Sequence, residues 1–427
     1  MQHTCLPCPL GLVPTLFILV LCATLGAPAF AESNEDLPRR SGLFEAAPRT
    51  EDGRFTNWVG DLPHGTFGTR FPFMGRRMAG FFRSRPGIPK RLSDASERLH
   101  ALENSGETEA TVTWIGHSTL LVQMEGVRFL TDPNWSEHPS PISWLGPRRF
   151  VEPGLSLDEL PPIDFVVVSH NHYDHLDLPT LRALAELNPE LRFLVPLGNG
   201  PLLRKDGLDH VVELDWGDVV EIGGLSVHCL PAQHWSKRGL TDDLKSLWAS
   251  WGVIGAEHRF YHSGDSGYFR GFKEVGEKLG PFDLVGVAVG AYAPRAMMQP
   301  SHMNPEEAFQ AARDLGAKRA LAMHFGTFDL SDEPLDEGPR RFRAAAELAA
   351  SELAAAASVD SAASAERGES RERADKPVDA EHIASAGAAS AVEPWVFLIG
   401  ETRSFGARPR AEAVEEIELI ESDPEPR

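Results

Sequence analysis

Four short strand-like runs in this chain each end at a histidine or an aspartate, and that repeated placement constrains the fold more than any other feature. FVVV at 165–168 leads into His170-Asn171-His172-Tyr173-Asp174-His175. The run at 225–230 is followed by His234, the run at 260–263 by Gly264-Asp265, and the run at 319–323 by His324. A short apolar run bounded by turn signals marks a buried strand. Chemistry is carried on loops that such a scaffold positions. For these groups to meet, several strands must finish at one rim of a sheet sandwich.

The hexapeptide offers four metal ligands within six residues. In extended backbone, residues two apart point the same way. His170 and His172 can therefore grip one ion, while Asp174 and His175, past the bend, face a second position. Imidazole nitrogen with carboxylate oxygen suits Zn²⁺, and nearly as well Fe or Mn. One hexapeptide cannot complete two coordination spheres, so His234, Asp265 and His324 are the further candidates. Asp265 has two acceptor oxygens and is suited to bridge two cations. A metal-bound imidazole usually donates its other N–H to a carboxylate or carbonyl. Asp132 and His117 are the candidates for such outer partners.

Around these positions the pattern predicts strands at 111–114, 118–124, 127–130, 165–168, 192–195, 211–214, 225–230, 250–254, 260–263, 284–289, 319–323 and 395–398. It predicts helices at 179–187, 272–279, 305–315 and 340–357, with Asn304 as an N-cap. Many strands with helices interspersed suggest an α/β (α+β) chain of two packed sheets flanked by helices.

The 427 residues carry 41 Lys+Arg against 62 Asp+Glu, a net charge of −21, which disfavours a nucleic-acid substrate. Four cysteines disfavour a disulfide framework and exclude a cysteine-rich zinc module. The apolar stretch at 10–25, followed by Ala29-Phe30-Ala31, reads as a signal peptide over 1–31. The expected location is thus periplasmic or extracellular, with membrane association as a further expectation. Residues 32–104 read as a charged linker and an irregular aromatic and basic wrap that includes Phe55, Trp58, Phe71 and Phe73. This wrap either buries its aromatics on the sandwich, the favoured reading, or dips into a membrane interface. Residues 105–353 form the main domain. Residues 354–391 read as a disordered Ala/Ser-rich insertion, 392–410 as the domain's last strand and 411–427 as an acidic tail.

The stretches TWIGHSTLLV, TDPNWS, LGPRRF, HNHYDH, PAQHWSKR, GAYAPR, HMNPEEA and MHFGTF resemble the metallo-β-lactamase superfamily, in its phospholipase D-like branch that hydrolyses N-acyl-phosphatidylethanolamine. The resemblance runs from about Thr111 to Thr327. It implies a four-layer αββα sandwich with two zinc ions at its rim. His170, His172 and His234 match the first-zinc ligands. Asp174, His175 and His324 match those of the second, and Asp265 matches the bridging carboxylate. His302 matches a position that contacts the substrate's phosphate, which makes Asp174 and His302 the candidate catalytic residues. The implied reaction is phosphodiester cleavage in a phospholipid or small phosphodiester. A homodimer and peripheral membrane contact are the implied associations. A lactonase or amide hydrolase is the alternative, and simple metal storage would not call for so many ligands beside an open groove.

Overall fold

The structure, a computed structural model, describes residues 37–63, 67–80, 87–91, 109–368 and 391–406. The expected signal peptide, Phe81, Phe82 and the acidic tail lie outside these residues. In chain order the elements are β1 (Arg39–Arg40), α1 (Phe67–Gly80), β2 (Thr111–Gly116), β3 (Thr119–Met124), β4 (Val127–Thr131), β5 (Phe165–Val167), α2 (Leu178–Leu187), β6 (Arg192–Pro196), α3 (Gly200–Lys205), β7 (Val211–Leu214), β8 (Asp218–Ile222), β9 (Leu225–Leu230), β10 (Ser250–Ile254), β11 (Arg259–His262), α4 (Gly271–Leu279), β12 (Leu284–Ala288), α5 (Arg295–Met298), α6 (Pro305–Asp314), β13 (Arg319–Met323), α7 (Glu337–Gly368), β14 (Glu393–Trp395) and β15 (Thr402–Ser404).

The strands form two sheets, in the orders β15-β2-β3-β4-β5-β6-β7 and β1-β8-β9-β10-β11-β12-β13-β14. Side chains alternate across a strand, and here both alternate sets are apolar. Val112, Trp114, Leu120, Val122, Phe129, Phe165 and Val167 share a core with Val220, Val227, Trp251, Val253, Phe260, Val285 and Val287 of the other sheet. Their alternates Ile115, Leu121, Leu130, Val166 and Val168 join Leu181 and Leu184 of α2 and Leu203 of α3 in a second core on the outer face. On the far side, α4 buries Phe272, Val275 and Leu279, and α6 buries Ala308, Phe309, Ala311 and Ala312. Helix, sheet, sheet, helix is therefore the layer order, the αββα sandwich the resemblance implied. Full burial of each large apolar side chain contributes about 1.5–3 kcal/mol.

Strand direction decides where the site lies. β4 and β5 run parallel, as do β11, β12 and β13. β2 and β9 reach the same sense through two antiparallel steps each. The carboxyl ends of β2, β4, β5, β9, β11 and β13 therefore share one rim, where ligands of such sheets bind.

Several expectations need correction. The stretch read as a charged linker is ordered from residue 37 onward. Arg40 donates to the carbonyls of Trp216 (2.5 Å) and Phe44 (2.8 Å), and Phe44 and Phe55 are buried. The Arg40–Trp216 bond joins residues far apart in sequence, which no local periodicity reports. Burial of the wrap's aromatics holds at Phe55 but not at α1. There Phe71 is 67% and Met74 61% exposed, and Arg76 and Arg77 pair with Asp332 and Asp329. The helix escaped the pattern because Gly68, Pro72 and Gly75 interrupt it. The Ala/Ser tract does not begin in disorder at Ala354: α7 continues to Gly368, because alanine has the highest helix propensity and loses no side-chain entropy. The rest of the tract lies outside the described residues. The single strand expected over 392–410 is two, β14 and β15, in different sheets. β8 was not anticipated. Among the described residues, no helix is long and apolar enough to cross a membrane.

Candidate metal centre

All seven proposed ligands, together with His117 and His302, converge at that rim. His170, His172 and Asp174 follow β5, His234 follows β9, Asp265 follows β11, His302 lies between β12 and α6, and His324 follows β13. Their donor atoms fall into overlapping sets whose members lie within 4.8 Å of one another. These sets are His170, His172 and His234; His170, His175 and Asp265; His117, Asp174, His175 and His324; and His234, Asp265 and His302. Three site residues, His117 (φ 52°), Asp132 (φ 39°) and His324 (φ 61°), hold left-handed backbone. Such backbone is disfavoured without glycine and persists where surrounding structure enforces it.

Outer hydrogen bonds fix the tautomers. His234 donates Nδ1–H to the Ser301 carbonyl at 2.9 Å, which leaves its Nε2 a lone pair. Ser169 Oγ gives its proton to Asp132 Oδ2 (2.8 Å) and accepts from His170 Nδ1 (2.9 Å), so His170 Nε2 is also a free lone pair. Both nitrogens converge on His172 Nδ1, at 2.8 and 3.3 Å. Lone pairs gathered this closely suit a cation.

The second set is built around carboxylates. Asp174 Oδ2 lies 3.0 Å from His117 Nε2 and 3.4 Å from both His175 Nε2 and His324 Nε2. Asp265 Oδ2 is 3.2 Å from His175 Nε2, and its Oδ1 is 3.1 Å from His324 Nε2. Yet Asp265 Oδ1, His175 Nε2 and His324 Nε2 make no hydrogen bond, and neither does buried His172 Nε2. Ligand atoms this close but not aligned for hydrogen bonding are what a metal ion would satisfy. The donor set, imidazole and carboxylate only, fits zinc, iron or manganese.

Burial and charge set the protonation. Burial pushes His170 and His172 well down, His234 to about 4, and His117 and His302 to about 3. Burial also opposes charge on His175 and His324. The carboxylates of Asp265 and Asp174 outweigh it, holding His175 well above the usual histidine range and His324 at about 9. Burial alone would raise the Asp174 and Asp265 carboxyls, but the surrounding imidazoles hold both well below the carboxylate range. Protons on His175 and His324 thus balance charge that divalent cations would otherwise meet.

Asp132 is fully buried beneath the site. It accepts from Ser169 N (2.6 Å), Ser169 Oγ (2.8 Å), His175 Nδ1 (2.8 Å) and His262 Nε2 (2.9 Å). Burial disfavours its charge, but His175 and His262 hold the carboxyl well below its usual range. Sequence reasoning passed over several residues that position the site. Asn57 exchanges hydrogen bonds with the backbone of His234, at 2.9 and 3.1 Å. Asn134 donates to the carbonyls of Tyr173 and Asp174. Arg238 stacks on Tyr173 and donates to the carbonyls of Asn171 and Leu176. Adjacency could have flagged Ser169, and the turn shared with Asp265 could have flagged His262; Asn57 carries no local signal. Three basic side chains have protein partners. Arg148 pairs with Glu137, Arg149 is buried on the Asn134 and Ser136 carbonyls, and Arg295 is bound to Glu307 and the His302 carbonyl.

Comparison with known proteins points the same way. A family model described as a beta-lactamase superfamily domain matches residues 127–325. The chain is 37% identical over 322 residues to N-acyl-phosphatidylethanolamine-hydrolysing phospholipase D 1 of Caenorhabditis elegans, covering 72% of this chain and 87% of the worm protein. It is 29% identical over 364 residues to the mitochondrial N-acyl-phosphatidylethanolamine-hydrolysing phospholipase D of Saccharomyces cerevisiae, covering 74% and 76%. Among solved structures, a metallo hydrolase from Ignicoccus hospitalis aligns with a TM-score of 0.45 and 18% identity, over 70% of this chain and 98% of that one.

Proposed function

This chain belongs to the metallo-β-lactamase superfamily and, within it, to the family of the N-acyl-phosphatidylethanolamine-hydrolysing phospholipases D, and on that premise we propose that it is a zinc-dependent phosphodiesterase of the phospholipase D type. Its substrate on this reading is N-acyl-phosphatidylethanolamine or a related phospholipid. The observation that carries the reading is His302. Its buried Nδ1 lies 3.8 Å from Asp265 Oδ2 and has no hydrogen-bond partner, and its ring adjoins His234 and His324. A phosphoryl group offers oxygens beyond those of the attacking and leaving groups, and a donor beside the ligand cluster meets that need.

Zinc ions, when bound by the seven ligands, would supply Lewis acidity and a water of lowered pKa. The side chains do the rest. Asp265, close to both His175 and His324, spans the two ligand sets. Asp174 accepts the proton of the attacking water, and His117 Nε2 steadies the same carboxylate oxygen. His302 holds a phosphoryl oxygen. A lipid rather than a soluble ester is supported by a groove of about 830 Å³ that Asn171 and Tyr173 help to line, reached by the loop carrying Ser140, Pro141 and Ser143. On that loop Ile142, Trp144 and Leu145 stand exposed. An exposed apolar edge suits an interface with lipid. We read the protein as an exported enzyme that meets its substrate at a membrane surface.

The test incubates the zinc-loaded protein with vesicles containing N-acyl-phosphatidylethanolamine and measures phosphatidic acid and N-acylethanolamine. Bis-(p-nitrophenyl) phosphate, a lactone and nitrocefin run in parallel. Release of both lipid products supports the proposal. Turnover of lactone or nitrocefin without any phosphodiester cleavage overturns it. His302→Asn should lower phosphodiester turnover with zinc content unchanged; loss of zinc instead would make His302 a structural residue.

A further inference from the structure

We propose that Arg295 is a positioning residue that sets His302 in place, an inference that rests on the role of His302 given above. The imidazole of His302 has no hydrogen bond at Nδ1 to hold it, so the backbone beneath it must define where it points. That backbone is gripped at every step. Gln233 Nε2 donates to the Pro300 carbonyl, His234 Nδ1 to the Ser301 carbonyl, and Arg295 Nη1 to the His302 carbonyl, each at 2.9 Å. The next amide, Met303 N, donates to the Ser266 carbonyl at 2.9 Å.

Gln233 and His234 reach in from the end of β9, whereas Arg295 opens α5, in the same segment between β12 and α6 that carries His302. Its Nη2 donates to both carboxylate oxygens of Glu307 at 2.8 Å. Glu307 Oε2 in turn accepts from Asn304 N at 2.9 Å, and Asn304 Oδ1 accepts from Glu307 N at 2.8 Å. One guanidinium therefore ties the His302 carbonyl to the capped first turn of α6. Gripping that carbonyl fixes the peptide plane after His302, and with it the direction of the Cα–Cβ bond. The fork geometry is specific to arginine: a lysine ammonium can reach one acceptor but cannot span the carbonyl and the carboxylate in a planar array. The Arg295–Glu307 pair is about 30% exposed on each side, so its value lies in geometry rather than in net stability.

The experiment is a double-mutant cycle of Arg295→Ala and His302→Ala, read as kcat and KM on bis-(p-nitrophenyl) phosphate with zinc content measured for each variant. Small misplacement of a reacting group can lower turnover by about 10²-fold, and Arg295→Ala should lower kcat on that scale with KM and zinc little changed. In the His302→Ala background the same change should cost no more than about twofold, the ordinary scatter of additivity. Arg295→Lys should recover part of the loss. Equal losses with and without His302, or a rise in KM at constant kcat, would overturn the proposal. A readout independent of turnover is the ¹H–¹³C NMR signal of the His302 ring, identified by its disappearance in His302→Ala. It should shift or broaden in Arg295→Ala and in Arg295→Lys, with the His234 signal in place; an unmoved signal counts against the proposal. If the wild type cleaves no phosphodiester but the His302 signal responds, the proposed function fails while the positioning role stands.

Discussion

Asp132→Ala removes the acceptor of four buried donors at once. His175 Nδ1 loses less than the others, since it also lies 3.4 Å from Ser169 Oγ. The hydroxyl proton and the amide of Ser169 and the ring of His262 have no such alternative, and a buried donor left unpaired costs about 1–3 kcal/mol. Three of them give roughly 3–9 kcal/mol. Water entering the vacated space brings the expectation to the lower half, about 3–5 kcal/mol, the scale on which breaking a buried charged pair destabilises a protein. The second consequence is at the ligands. Asp132 orients His175 directly and His170 through Ser169, and loss of an outer partner of this kind weakens metal binding by about 10–100-fold. Urea unfolding of chelator-treated protein measures the first effect, and competition against a chromogenic zinc chelator the second. Asp132→Asn, which keeps the volume and one acceptor, should fall between wild type and Asp132→Ala. If Asp132→Ala unfolds at the wild-type urea concentration and binds zinc as tightly, the assignment of Asp132 as the anchor of His175 and His170 is wrong.

Stability of the metal-stripped protein should peak near neutral pH. Above the ordinary histidine value of 6.5, folded His324 keeps its proton up to about 9 and His175 is likewise held well above its ordinary value, while the unfolded chain has lost both protons. Stability therefore falls as pH rises through that window. Below 6.5 the unfolded chain binds protons that His117, His170, His172, His234 and His302 refuse because burial holds them down, so stability falls again toward pH 4. Thermal melts in chelator over roughly pH 5–10 check this, and saturating zinc should abolish the alkaline fall; a flat alkaline limb in chelator contradicts it. Asn57→Ala strips the His234 backbone and Trp248 Nε1 of their shared partner. It should lower stability by about 2–4 kcal/mol, seen in urea unfolding, although Asn57 lies far from the ligands in sequence. A Cβ on Gly290 would sit 2.1 Å from the His324 carbonyl oxygen. Gly290→Ala should therefore shift His324 and weaken zinc retention after gel filtration more than Gly207→Ala, whose site is open.

Much of the site was legible because its residues are chemically rare and locally framed. His170 to His175 sit at the end of a wholly apolar run, and Asp265 and His324 follow short strand-like runs. Within β2, Val112 and Trp114 face one core and Ile115 the other, since the period of two is a property of the backbone. What escaped was of two kinds. α1 has a sequence that discourages a helix, and its Arg76 and Arg77 are tied to Asp332 and Asp329, partners some 250 residues away. The first strand and Asn57 are held by bonds to the Trp216 loop and to His234, again without any local period.

Amino-acid order alone determined which side chains could bind a cation and which runs had to be buried, because donor chemistry and apolar periodicity are properties of neighbouring residues. Only the folded chain decided which nitrogen of each imidazole faces the centre, which histidines keep a proton, and that Arg295 binds the His302 carbonyl and Glu307. Those outcomes depend on distances of about 3 Å between residues remote in sequence, and packing of the two sheets is what sets such distances.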